Sequence, residues 1–208
     1  MRLLIVVATV KEAEALGCTK AHVVVSGIGR TNAAAATTAA LLEQGPYDGA
    51  LSVGIAGALP DAMLQAGDVV VATECVYMEE GLSTPDGFVD MQGMGFPLGD
   101  FDGNRVPTEP ALTKFLPGPL HRGVIATVAT CSGTDALAVE VERRTGAIAE
   151  AMEGAAVVHA ALRLGLPGGE VRVISNSTGD RAKQQWDIAR AFAAMHTLGA
   201  RFDQLLQG

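Results

Sequence analysis

Ala147-Ile148-Ala149-Glu150-Ala151-Met152-Glu153-Gly154-Ala155-Ala156-Val157-Val158-His159 begins a stretch that ends on Glu170-Val171-Arg172-Val173-Ile174-Ser175-Asn176-Ser177-Thr178-Gly179-Asp180. Residues 147–152 read as a short strand, and 153–164 as a helix of small apolar residues opened by a single acid, Glu153. A Gly/Pro break at 165–169 separates the helix from a second strand, 170–175, which runs out into a polar loop. In open α/β sheets, ligands bind outside the carboxyl ends of the strands. That rule makes Glu153 and Asn176 candidates for one site.

Outward from this stretch the same alternation recurs. Residues 3–8 are a continuous apolar, β-branched run, the pattern of a strand buried on both faces. Thr9-Val10-Lys11-Glu12 fits a capping box for the helix that follows, up to Gly17. Residues 22–26 are a second strand, and Gly27-Ile28-Gly29 turns into an alanine-rich helix running to about Gln44. Strands are expected at 50–53, 68–75 and 123–129, a short helix at 108–115, a loop and helix over 132–145, and a C-terminal helix over 186–206. Residues 77–107, with Gly, Pro, Met and Phe in quick succession, read as a long loop serving as a lid or a subunit contact. No linker or repeat interrupts the order. The fold class is therefore α/β: residues 1–208 form one three-layer α/β/α domain around a mostly parallel, mixed sheet.

Bulk properties narrow the function. The net charge of −8 argues against a nucleic-acid or acidic-membrane surface. Cys18, Cys75 and Cys131 are far apart and odd in number, which suits a reducing compartment, and the four histidines have no ligand-spaced partners. The apolar N-terminus lacks a cleavage pattern and no run reaches membrane-span length, so a cytoplasmic protein is expected.

Each candidate has two readings. Gly27-Ile28-Gly29 lacks the third glycine and the distal acid of a dinucleotide fingerprint; it is either a turn whose amides face a ligand or a turn packing helix on sheet. Glu12 is a capping-box residue or an acid/base presented to the sheet crevice. Glu153 complements its own helix dipole or accepts hydrogen bonds from a vicinal diol such as ribose. Asn176 is a turn residue or a matched donor and acceptor. Asp180 and Arg181 pair or anchor their loop, and Trp186-Asp187 reads as helix packing and capping. Cys131 and Ser132 have no nearby histidine to activate them as nucleophiles.

Taken together, Glu12 after the first strand, Ser26-Gly27-Ile28-Gly29, Val53-Gly54-Ile55-Ala56-Gly57, Ala66-Gly67-Asp68-Val69-Val70, Met152-Glu153-Gly154-Ala155-Ala156 and Ile174-Ser175-Asn176 before Gly179-Asp180-Arg181 resemble the nucleoside phosphorylase and nucleosidase superfamily, and within it the futalosine hydrolases. The resemblance implies hydrolysis of the N-glycosidic bond of futalosine to hypoxanthine and dehypoxanthine futalosine, in the alternative menaquinone pathway. It implies that Glu12 activates water, that Met152 and Glu153 hold the ribose, and that Thr130 and Cys131 line the base. It also implies that Gly57 and Ile28 contact substrate and that Asn176 meets the purine at N7 and its 6-substituent. Adenine nucleosidases typically carry Asp at the last position, whereas the Asn amide suits a 6-oxopurine. Ile55 and Ala151 stand where those enzymes often have serine and a second glutamate. A phosphorylase would carry a phosphate-binding Gly-Asp-Pro-x-Arg where this chain has Ala8-Thr9-Val10-Lys11. The resemblance further implies a nucleoside substrate, a homo-oligomer, and no metal or cofactor. Alternatives are a 6-oxopurine nucleoside phosphorylase, a methylthioadenosine/S-adenosylhomocysteine nucleosidase and a non-catalytic nucleoside sensor.

Overall fold

Leu4 and Val6 face one apolar cluster while Leu3, Ile5 and Val7 face another, so the first strand is covered on both sides. That period of two is what a buried strand dictates. Burial of each such side chain contributes about 1.5–3 kcal/mol. The computed structural model describes residues 1–114 and 116–206. In chain order it runs β1 (Leu3–Val7), α1 (Val10–Leu16), β2 (His22–Val25), α2 (Arg30–Glu43), β3 (Gly49–Ala58), β4 (Val69–Tyr77), β5 (Gly81–Thr84), β6 (Gly87–Asp90), β7 (Arg105–Pro107), β8 (His121–Thr127), α3 (Asp135–Thr145), β9 (Ala147–Ala151), α4 (Gly154–Arg163), β10 (Gly168–Ser177) and α5 (Ile188–Leu205).

The main sheet is mixed and mostly parallel, in the order β10-β4-β8-β9-β3-β1-β2, with β7 on β4. It also curls back on itself. β10 pairs with β3 in parallel as well as with β4 in antiparallel, so β3, β10, β4, β8 and β9 close a ring. Helices α2 and α4 pack on one side of the sheet, α1 and α5 on the other, and α3 lies against β8 and β9. Seven of the ten residues of α4 are buried, and all seven are glycine, alanine or valine, small enough for close packing against α2 and the curled strands.

Several elements depart from the sequence expectation. β3 does not stop at residue 53 but runs through Gly54, Ile55, Ala56 and Gly57 to Ala58, since β10 pairs with it over that length. The 77–107 segment is no plain loop. It holds the β5–β6 hairpin and β7, and His159 of α4 packs edge-on against Phe101. The short helix expected over 108–115 is a 3-10 turn, Pro110–Leu112, capped by Glu109, and Phe115 lies outside the described residues. α5 begins at Ile188 with Asp187 as its cap, which leaves Trp186 in the preceding loop.

Candidate active site

One cavity of about 590 Å³ collects the carboxyl ends of several strands. Glu12 enters from the first turn of α1, Ile55, Ala56 and Gly57 from β3, Met152 and Glu153 from the β9–α4 junction, and Asn176 from β10. Ile28 and Cys131 complete the set of anticipated residues on its wall. Thr130 does not line it. Its amide, with that of Ala129, turns to the Glu79 carboxylate instead.

Glu12 combines its two readings. Thr9 Oγ1 accepts from the Glu12 amide, and Glu12 Oε2 accepts from the Thr9 amide at 2.9 Å and hydroxyl at 3.0 Å, so the capping box is formed. Oε1 points elsewhere and accepts from the Ile55 amide at 3.0 Å. A carboxylate has about four acceptor sites. Three are filled, and the remaining one is on the oxygen that reaches β3.

Glu153 is equally buried. Oε1 accepts from the Gly29 amide at 3.0 Å, so the glycine turn with positive φ at Gly27 and Gly29 spends an amide on this acid. Oε2 lies 3.2 Å from Arg172 Nη2. About half of its acceptor capacity stays open towards the cavity.

Asn176 is delivered by an irregularity in the ladder. Ile174 pairs with Ala56 and Asn176 with the next residue, Gly57, so Ser175 is the extra residue of a β-bulge. Bulges re-aim side chains beside sites. Ser175 Oγ donates to Asn176 Oδ1 and Asn176 Nδ2 donates to Ser177 O, both at 2.8 Å, which orients the amide.

Arg172 escaped the sequence reading. It sits in a valine-rich strand, only 1% exposed, beneath the cavity. Burial opposes its charge, but Glu170, Glu153 and Glu12 outweigh that and raise its pKa. The local signal was an acid and a cation two residues apart inside a β-branched run; the other two carboxylate partners, Glu12 and Glu153, are distant in the chain. Trp186, which the sequence reads as helix packing, lines the cavity with its ring under Arg181 at 4.7 Å. Lys11, Gln184 and Phe192 also line it. Glu150 faces it too, but Ser132 occupies both its oxygens. Desolvation and then the Glu150 and Glu153 charges push the Cys131 thiol up, away from a thiolate nucleophile. Among the described residues no His, Cys, Asp or Glu cluster is arranged to hold a metal ion, and no helix is long and apolar enough to cross a membrane.

The family model of the phosphorylase superfamily matches residues 12–207. The chain belongs to the phosphorylase superfamily. Among superfamily relatives, a futalosine hydrolase of Acidothermus cellulolyticus is 40% identical over 70% of this chain, and the chain spans 60% of that protein's length. A futalosine hydrolase of Thermus thermophilus is 38% identical over 82% of this chain and 75% of its own length. The native structure of futalosine hydrolase from Helicobacter pylori superposes with a TM-score of 0.75 at 20% identity, over 100% of this chain and 96% of that one, a likeness of fold.

Proposed function

We propose that this chain is a cytoplasmic hydrolase that cleaves the N-glycosidic bond of futalosine, releasing hypoxanthine and dehypoxanthine futalosine, a step of the alternative menaquinone route. The observation that carries this reading is the convergence of Glu12, Glu153 and Asn176, far apart in sequence, on one cavity at the carboxyl ends of strands. Superfamily membership supports the nucleoside class, and the relatives named above support the substrate.

Cleavage of such a bond passes through an oxocarbenium-like state. The sugar becomes cationic while the purine becomes anionic. Glu153 accepts from the two ribose hydroxyls with its open acceptor sites, and its charge favours the cationic sugar. Water attacks C1′ and gives its proton to the free acceptor site of Glu12 Oε1. Arg172 Nη1 faces that site across Gly54, where a Cβ would lie 2.5 Å from Glu12 Oε1 and 2.7 Å from Nη1. Asn176 Nδ2 has a second hydrogen for the 6-oxo group of the departing anion, and Oδ1 a second lone pair for the proton that N7 takes up from solvent. A 6-amino group would leave this amide mismatched, at a cost of about 1–3 kcal/mol. Lys11 and Arg181, at the cavity wall, are the cations in reach of the benzoate that futalosine carries.

Chromatography of futalosine, aminofutalosine, inosine and methylthioadenosine incubated with the protein, with and without phosphate, tests the reading. Futalosine is consumed fastest and phosphate is not required. Phosphate-dependent release of ribose 1-phosphate from inosine would identify a phosphorylase instead, and tight hypoxanthine binding without turnover a sensor. The same reading includes a homo-oligomer, joined through the 77–107 segment. Leu82 and Phe96 are exposed there, and no residue of that segment lines the cavity as a lid would. Light scattering of the wild type and of Phe96→Asp tests that contact.

A further inference from the structure

Glu170 has no step in the chemistry above, yet among the carboxylates beside the cavity it is the one most completely removed from solvent. It lies on the α4 side of β10, two residues before Arg172 and therefore on the same face. Oε1 accepts from Arg172 Nε at 2.7 Å, and Oε2 from Cys75 Sγ at 3.0 Å. Held at Nε, the guanidinium gives Nη2 to Ser52 Oγ at 2.9 Å and to Glu153 at 3.2 Å, while Nη1 is directed towards Ile55 O and the space over Gly54.

The opposite wall is shaped for this acid. A Cβ on Gly154 would stand 1.9–2.1 Å from the Glu170 carboxyl atoms. The first residue of α4 is glycine because Glu170 fills the volume its side chain would take. Buried ion pairs add less stability than apolar packing of equal volume. What this pair supplies, and apolar packing would not, is a guanidinium fixed in one orientation.

We propose that Glu170 is a positioning residue. It clamps Arg172 through Nε, so that one guanidinium nitrogen meets Glu153 and the other faces Glu12, and Gly154 is the space that admits it. This inference rests on the hydrolytic reading given above. The charged and titratable groups around the clamp are Arg172 on β10 itself, Cys75 on β4, Glu153 at the head of α4, and Glu12 of α1 beyond the guanidinium. With Glu170 intact, Arg172 divides its charge among three carboxylates. Without it, two remain, and the guanidinium is no longer held in the one orientation that serves both Glu153 and Glu12.

Two variants test this, Glu170→Gln and the paired change Gly154→Ala/Glu170→Val, which removes the acid and refills its space. With futalosine as substrate, kcat falls on the order of 10²-fold while KM stays close to wild type. Cooperative melting is retained in the paired variant. Folded variants whose kcat matches wild type, with only the melting temperature moved, would reduce Glu170 to a packing role and overturn the proposal. If the wild type cleaves no nucleoside, the hydrolytic reading fails by itself, and the clamp is decided without substrate. Denaturant midpoints of Glu170→Gln, Arg172→Met and the double variant are then compared. A double-variant loss smaller than the sum of the single losses is expected; additive losses overturn the clamp.

Discussion

Glu153 and Arg172 meet at 3.2 Å with both side chains shut away from solvent. Removing one partner of a buried ion pair costs about 3–5 kcal/mol, because the other charge is left uncompensated. Arg172→Met therefore lowers the urea midpoint by a shift of that size with an unchanged slope. Glu153→Gln keeps much of the shape and loses less stability, but kcat drops on the order of 10²–10³-fold as the charge facing the sugar disappears. An Arg172→Met midpoint within error of wild type would mean that the guanidinium contributes nothing to the fold.

Gly54 is the narrowest point of the proposed chemistry. A methyl group there collides with Glu12 Oε1 and Arg172 Nη1, and neither side chain has open solvent to retreat into. Gly54→Ala is expected to fold and to lose on the order of 10²-fold in kcat, a misplacement effect. Circular dichroism and steady-state kinetics on the same preparation check it. Near-normal turnover would place the attacking water elsewhere.

Asn176→Asp exchanges an amide that suits a 6-oxo group for an acid that, when protonated, suits a 6-amino group. The ratio of futalosine to aminofutalosine turnover should fall by roughly 10–100-fold, corresponding to about 1–3 kcal/mol. Competition between the two nucleosides in one vessel measures the ratio directly. An unchanged ratio would detach base preference from this position.

The sequence made the strand and helix alternation legible where strands such as β1 and the first half of β4 are buried on both faces, and so read as uniform apolar runs. The Thr9–Glu12 capping box was legible because its spacing is local, and it forms as expected. β3 was truncated in the reading because Gly54 and Gly57 suggest turns. Here close approach to Glu12, Arg172 and Asn176 requires them inside a strand. Arg172 was not legible as a site residue because Glu12 and Glu153 meet it only through the fold, although Glu170 stands two residues away on the same strand face. The β5–β6 hairpin was missed because its strands are only four residues long and each opens on a glycine.

A pH effect away from the site is also expected. Partial burial raises the Asp203 pKa, but donors from Cys18, Lys20 and Thr19 outweigh it and hold the carboxyl at about 2, below the ordinary 3.8. A depressed folded-state pKa gives stability that is present above the unfolded value and lost as pH falls through the folded one. Asp203→Asn should therefore lower the melting temperature near neutral pH, and the gap from wild type should close between about pH 4 and pH 2. A constant gap over that window would show that the loop is tied to α5 by something other than this charge.

Trp186 is the only tryptophan in the chain, is 45% exposed and lines the cavity. Hypoxanthine should change its emission in a saturable way, and Trp186→Phe should abolish the signal. Emission that stays flat while calorimetry detects binding would put the base away from this wall.

The closed ring of β3, β10, β4, β8 and β9 has a consequence for breathing of the molecule. A strand at a sheet edge can peel away by breaking one ladder; a strand in a ring must break two. Amides of β3 and β10 near the cavity should therefore exchange with deuterium only through global opening, while those of the 178–187 loop exchange by local fluctuation. Traffic of nucleoside and base then depends on that loop and its tryptophan, with the barrel beneath acting as a rigid anvil.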